Sequence, residues 1–223
     1  MALPSASPPP GWGARGMDGL LDSFPRGGLS EIVGPRSSGG GSLLLAVLAR
    51  AAAAGGRVAL VDGADALDVR SAHAAGVDLR DLLWVRCAGQ WRKAWSAADL
   101  LARCAGFAVV ALDLGGVDPG RRDPGAAVRC IRLQRAVERS ATTLVLHAPY
   151  HLAGHAAALV VAVRRVTPRW VGLPRPTRLA GLVSEVRVVR LRARPMGPRE
   201  ADGGSAPPVR PDGTAGWLVE WRL

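Results

Sequence analysis

Residues Gly34-Pro35-Arg36-Ser37-Ser38-Gly39-Gly40-Gly41-Ser42 are the run whose types and spacing come closest to chemistry. They follow an apolar stretch, Leu29 to Val33, and precede an Ala/Leu-rich one. A working phosphate loop reads G-x-x-x-x-G-K-[ST]. Its backbone N–H groups surround the phosphates, its Lys reaches the β/γ-phosphates and its hydroxyl holds Mg²⁺. Gly34 and Gly39 stand at the framing positions, but the Lys position is Gly40 and the hydroxyl position is Gly41. The scaffold of phosphoryl chemistry is expected, without its charge clamp or its metal contact. Its N–H groups would retain at most weak anion binding.

Other reactive side chains are sparse. His147, His151 and His155 recur every four residues, a metal-binding spacing on a helix, but Pro149 interrupts it and Leu152 stands where H-E-x-x-H needs Glu. No metal site is expected. Cys87, Cys104 and Cys130 are far apart with no C-x-x-C, as for buried thiols in a reducing cytoplasm. Trp91 and Trp95 read as a core stripe on one helix.

The elements that would position the loop alternate. Strands are predicted at Leu29–Val33, Arg57–Asp62, Leu82–Arg86, Phe107–Asp113, Thr142–His147 and Leu159–Val163. Helices are predicted at Ser42–Ala54, Trp91–Cys104 and Pro124–Ser140, the last with Asp123 as N-cap and Pro124 at N1. Continuous apolar strands alternating with helices specify an α/β fold with a mostly parallel central sheet flanked by helices. Ligands of such sheets sit at the carboxyl ends of the strands, where the glycine loop falls.

The C-terminal third differs. Val183–Arg194 is a long strand candidate that places Val189, Leu191 and Ala193 on one face and Arg190, Arg192 and Arg194 on the other. With Arg187, Arg175 and Arg178 nearby, that arginine face has two readings: an edge blunted by charge, or a surface that neutralises phosphates. Residues 195–216 are Pro/Gly-rich and read as a linker or loop. Residues 217–223 end in an alternating run in which Trp217, Val219 and Trp221 share a face. A returning strand beside Val183–Arg194 is the favoured reading, exposed partner anchors the other.

Of 223 residues, 48% are hydrophobic, enough for one good core; the domain is expected over residues 16–194, after a disordered segment 1–15. The net charge is +11, nearly all from arginine, since Lys93 is the only lysine. That charge favours polyanions, single-stranded DNA among them, or an acidic protein surface. Residues 1–13 show no secretory signal, and the apolar runs are too short to span a bilayer, so a soluble cytoplasmic protein is expected.

Five segments stand in the order of a RecA-type core. Pro25 to Gly39 resembles the recombinase run into the phosphate loop. Leu60-Val61-Asp62-Gly63-Ala64-Asp65-Ala66-Leu67-Asp68 resembles the next strand and its loop, and Ala75 to Leu83 the segment after it. Val109-Val110-Ala111-Leu112-Asp113 resembles the Walker B strand, and Val183 to Arg190 the closing strand. The departures fall on the chemistry. Beyond Gly40 and Gly41, the water-activating acid falls at Ala64, with Asp65 shifted by one, and the γ-phosphate-sensing Gln falls near Pro149. Asp113 alone survives. Losing clamp, metal contact and base together removes the positioning on which phosphoryl transfer depends.

A shortened RecA-like core with such a loop resembles the ImuA family of accessory proteins. That resemblance implies a non-catalytic adaptor of SOS-induced mutagenic translesion synthesis, a DNA damage response. Its implied partners are an ImuB-like Y-family polymerase relative, a DnaE-type error-prone polymerase and RecA itself. No ATP cofactor is expected. Arg187, Arg190, Arg192, Arg194, Trp217 and Trp221 are the candidate DNA or partner contacts. The competing reading is a DNA-dependent ATPase or recombinase active in DNA repair, with Arg36 or another protomer's residue in place of the Lys. A third is a nucleic-acid-binding module driven by charge alone.

Overall fold

The computed structural model describes residues 17–117, 123–172, 175, 177–192 and 216–222. The expected disordered segment 1–15, most of the linker 195–216, Arg194 and Leu223 lie outside them. In chain order the elements are α1 (Asp18–Asp22), β1 (Leu29–Val33), α2 (Gly40–Ala53), β2 (Arg57–Asp62), α3 (Val69–Ala74), β3 (Leu82–Arg86) and α4 (Trp91–Arg103). Then come β4 (Phe107–Asp113), α5 (Ala126–Val137), β5 (Thr143–Ala148), β6 (Ala157–Val171), β7 (Arg178–Leu191) and β8 (Gly216–Arg222). The strands form one sheet in the order β3-β2-β4-β5-β1-β6-β7-β8. The first six are parallel; β7 and β8 run antiparallel to their neighbours.

Both sheet faces are covered, which is why the parallel strands carry apolar residues without alternation. In β4, Val110 and Leu112 point to α4 and α5, while Val109 and Ala111 point to α2. The first layer is built from Trp95, Ala98, Cys130 and Leu133; the second from Leu43, Leu44, Val47 and Leu48, with Leu20 of α1. Trp91 meets Trp95 edge to face at 5.8 Å between centroids. Trp217, Val219 and Trp221 of β8 join the second layer while Leu218 points outward, so the returning strand is present, paired with Gly181 to Arg187 of β7.

Several boundaries differ from expectation. The short helices α1 and α3 were not anticipated. Helix α5 begins after Gly125, not at Asp123-Pro124. The Asp123 carboxylate instead accepts the Gly125 N–H (2.9 Å), the Trp91 indole N–H (2.8 Å) and the Arg129 guanidinium. Strand β6 continues eight residues beyond Val163, through Pro168. β1 pairs only as far as Ala162, so at Pro168 β6 is paired by β7 on one side, a setting in which a strand tolerates proline. β7 starts before Val183 and ends at Leu191. Its register shifts between Val188 and Arg190, and Val189 and Leu191 are exposed rather than packed.

Candidate functional site

The carboxyl ends of β1, β4 and β5 meet at the glycine loop. β1 delivers Gly34, β4 delivers Asp113, and β5 delivers His147. Gly39 is the N-cap of α2 at φ +99°, a left-handed conformation that glycine adopts without steric cost. The strand–loop–helix path of a phosphate loop is therefore intact, with Gly34 and Gly39 as its corners.

Side chains fill the space around that path. The His147 ring, 8% exposed, lies against Gly40. A Cβ on residue 40 would stand 3.0 Å from its Cδ2 and closer still to Nε2. On the other side, a Cβ on Gly115 would meet His147 Nδ1 at 2.8 Å. The ring is thus held between two glycines, in the place a side chain at position 40 would leave through. Its Nδ1 lies 2.8 Å from Asp113 Oδ1, which also accepts the Gly115 N–H at 2.8 Å. Burial alone would raise the Asp113 carboxyl. The His147 hydrogen bond and charge, with the Gly115 N–H, outweigh burial and hold it below the usual value. An ionised Asp113 makes Nδ1 the donor. Asp113 is therefore committed to His147 and the backbone.

The remaining positions are filled in the same way. A Cβ on Gly63 would meet the Asp113 carbonyl at 2.6 Å, and one on Gly116 would meet the Ala64 Cβ at 2.6 Å. The wall that should carry a water-activating acid is a contact between small residues. Asp65, one position on, turns away at φ +59° and pairs with Arg86 (2.9 Å), which lowers its carboxyl. Asp62 is spent on the backbone: it accepts the N–H groups of Ala66 (3.0 Å) and Leu67 (2.9 Å) and the Trp84 indole N–H (3.2 Å). Arg36, the residue that would replace the missing Lys, donates to the Gly116 carbonyl. These residues do not fit a magnesium nucleoside triphosphate.

The loop is also clamped from the antiparallel end of the sheet. Ser184 of β7 donates to the Ser38 carbonyl at 2.5 Å, and Trp221 of β8 donates its indole N–H to Ser184 Oγ at 3.1 Å. A Cβ on Gly39 would collide with both, at 2.5 and 2.6 Å. Ser184 and Trp221 are buried. Trp217 and Trp221 are thus core residues here, not exposed anchors.

The arginine face is only partly available. Arg187 pairs with Glu185 (2.9 Å), which also holds Arg164 (2.7 Å). Arg190 donates to the Gly154 carbonyl and lies 3.5 Å from His151 Nε2; Arg192 lies 3.5 Å from His155 Nδ1. The three histidines part company: His147 goes to Asp113, while His151 meets Glu31, whose other oxygen accepts the N–H groups of Leu152 (2.6 Å) and Ala153 (2.9 Å). Among the described residues, no cluster of three metal-ligating side chains forms. None of their helices is long and apolar enough to cross a membrane.

With this geometry the comparisons have a definite meaning. Residues 13–117 match the RecA N-terminal domain family. The fold is that of a RecA-like core. Protein RecA of Azoarcus sp. (strain BH72) is 36% identical over 103 residues, 45% of this chain and 30% of that protein. Protein RecA of Methylococcus capsulatus (strain ATCC 33009 / NCIMB 11132 / Bath) is 44% identical over 100 residues, 45% and 27% of the two chains. The aligned part thus spans less than a third of the length of either relative. The crystal structure of the RadB recombinase superimposes with a TM-score of 0.58 at 15% identity, covering 81% of this chain and 90% of that one, a likeness of fold. The RecA-like framework was legible in the loop and strand motifs. The part of His147 was not: sequence reasoning weighed it only as a metal ligand or a plain histidine. The available signal was a ring at the end of β5 opposite a missing side chain at Gly40.

Proposed function

We propose that this RecA-like chain is a non-catalytic accessory protein of mutagenic translesion synthesis, an ImuA-type adaptor in the SOS response to DNA damage. It works in the cytoplasm through its surfaces, without ATP. Its partners are an ImuB-like Y-family polymerase relative, a DnaE-type error-prone polymerase and RecA, with single-stranded DNA as a further ligand. The observation that carries the reading is the His147 ring seated against Gly40. Phosphoryl transfer is almost wholly positioning and electrostatic stabilisation. Here the positions for clamp, metal hydroxyl and base hold Gly40, Gly41 and Ala64. The ImuA assignment rests on the resemblance of a shortened core with such a loop.

The test is hydrolysis and binding of ATP with Mg²⁺, with and without single-stranded DNA, followed by size-exclusion chromatography with the two polymerase-type partners. No turnover above a protein-free blank is expected, nor any effect of ATP on DNA affinity, and co-elution with the ImuB-like protein is. Turnover by the wild type would replace the adaptor with a DNA-dependent ATPase or recombinase. DNA binding that collapses between low and physiological salt, with no protein partner, would leave only a charge-driven nucleic-acid module.

A further inference from the structure

At the other end of the sheet from the glycine loop, the amino ends of β2, β4 and β5 open into a groove of about 890 Å³. Its other walls include α1 and the segment after it, the last turns of α2, the α4–β4 turn and the α5–β5 turn. The floor is apolar and built of modest side chains, Leu21, Val47, Ala51 and Phe107 among them. The rim is basic: Arg26, Arg50, Arg57 and Arg139 all line it. The one acid on the lining, Asp22, is taken by Arg50 at 2.9 Å. Arg57 and Arg139 are exposed and make no ion pair among the described residues. The carboxyl terminus of α2 contributes a partial negative charge, which the guanidiniums of Arg57 and Arg139 outweigh.

We propose that this groove docks a partner-protein segment in which acidic residues alternate with bulky apolar ones. Charge complementarity selects the acids, since Arg57 and Arg139 stand exposed on the rim without an ion pair among the described residues, while the lining's carboxylate, Asp22, is held by Arg50. The volume and the apolar floor select the anchors, because a cleft of this size buries side chains that a flat basic surface does not. Single-stranded nucleic acid fits less well. Its bases stack on exposed aromatic faces, and the groove offers only Phe24, which is buried, and Phe107, which is half-buried. The inference does not depend on the lost nucleotide chemistry, which sits at the opposite end of the strands.

The experiment is fluorescence anisotropy of the full chain with three labelled probes. These are a short peptide alternating Glu with Leu and Phe, the same peptide with Lys for Glu, and oligothymidylate. The Glu peptide is expected to bind and the Lys peptide not to. Arg57→Glu with Arg139→Glu is expected to weaken the Glu peptide by about tenfold or more. Ala54→Trp, which fills the rim without altering charge, is expected to weaken it as well. All three positions are exposed, and far-UV circular dichroism with a thermal scan checks that the variants fold. Unchanged peptide affinity in either variant would overturn the proposal. So would preferential binding of oligothymidylate that the charge-reversed variant loses. An ATPase result of either sign leaves this outcome untouched, so the two readings fail separately.

Discussion

The two ends of one sheet have been treated in opposite ways. At the carboxyl end, where ligands of open α/β sheets sit, small residues let the walls close: His147 lies between Gly40 and Gly115, Ala64 faces Gly116, and Trp221 presses on Gly39. At the amino end the strand starts, α1 and the end of α2 leave a groove of about 890 Å³ rimmed with arginine. The first end has space for chemistry only on paper. The second has open space and exposed positive charge.

The comparison breaks most readily at Trp221. If the carboxyl end is closed by packing, Trp221→Ala removes the indole over Gly39 and the donor to Ser184. A loss of about 3–5 kcal/mol is expected in urea unfolding. A loss below 1 kcal/mol would mean that β8 is not part of the closure.

Gly40→Lys sharpens the same point. Its Cβ falls inside His147, so overpacking is expected to cost about 1–3 kcal/mol. Combining it with His147→Ala should give a smaller total loss than the sum of the two single variants. Additive losses in a double-mutant cycle would show that the ring does not occupy that space. Adding Gly41→Thr to Gly40→Lys is expected to yield no ATP turnover.

The Asp113–His147 pair makes a pH-dependent contribution of defined sign. The folded carboxyl lies below its unfolded value, so the contribution is present above about pH 4 and is lost as pH falls through the lowered folded value. Asp113→Asn should be less stable than wild type at neutral pH, with the difference shrinking under acid. A difference that stayed constant from pH 7 to the acid limit would remove the ionic part of the account. The smallest effect is expected for Gly41→Thr alone. Nothing stands within 4 Å of a Cβ at that position. The midpoint of unfolding should therefore shift by no more than about 0.5 kcal/mol.

How much of this was readable in the residues depended on how local the signal was. The parallel core could be read because β2 and β4 are continuous apolar runs, and the glycine loop because its spacing lies within nine residues. The chain's return in β8 could be read from the alternation of Trp217, Val219 and Trp221. Helix α5 was misplaced at its start because Asp123-Pro124 satisfies the local rule for a cap, while Trp91 and Arg129, elsewhere in the chain or one turn on, claim the carboxylate. β6 was cut short at Val163 because arginines and Pro168 read as a break. An edge strand paired on one side tolerates both. The groove could not be read at all. Its arginines stand at positions 26, 50, 57 and 139, and only the fold brings them together.

The clamp on the loop also has a kinetic meaning. Ser184 reaches the Ser38 carbonyl across 146 residues of sequence, and Trp221 comes from further along still. Contacts of that separation carry the largest loop-closure entropy and form late. Strands β2 to β5 and the helices between them can assemble through nearer neighbours, with the Gly34–Gly39 turn still unpinned. In a refolding experiment the environment of Trp221 should therefore reach its native state after the bulk of the helical signal.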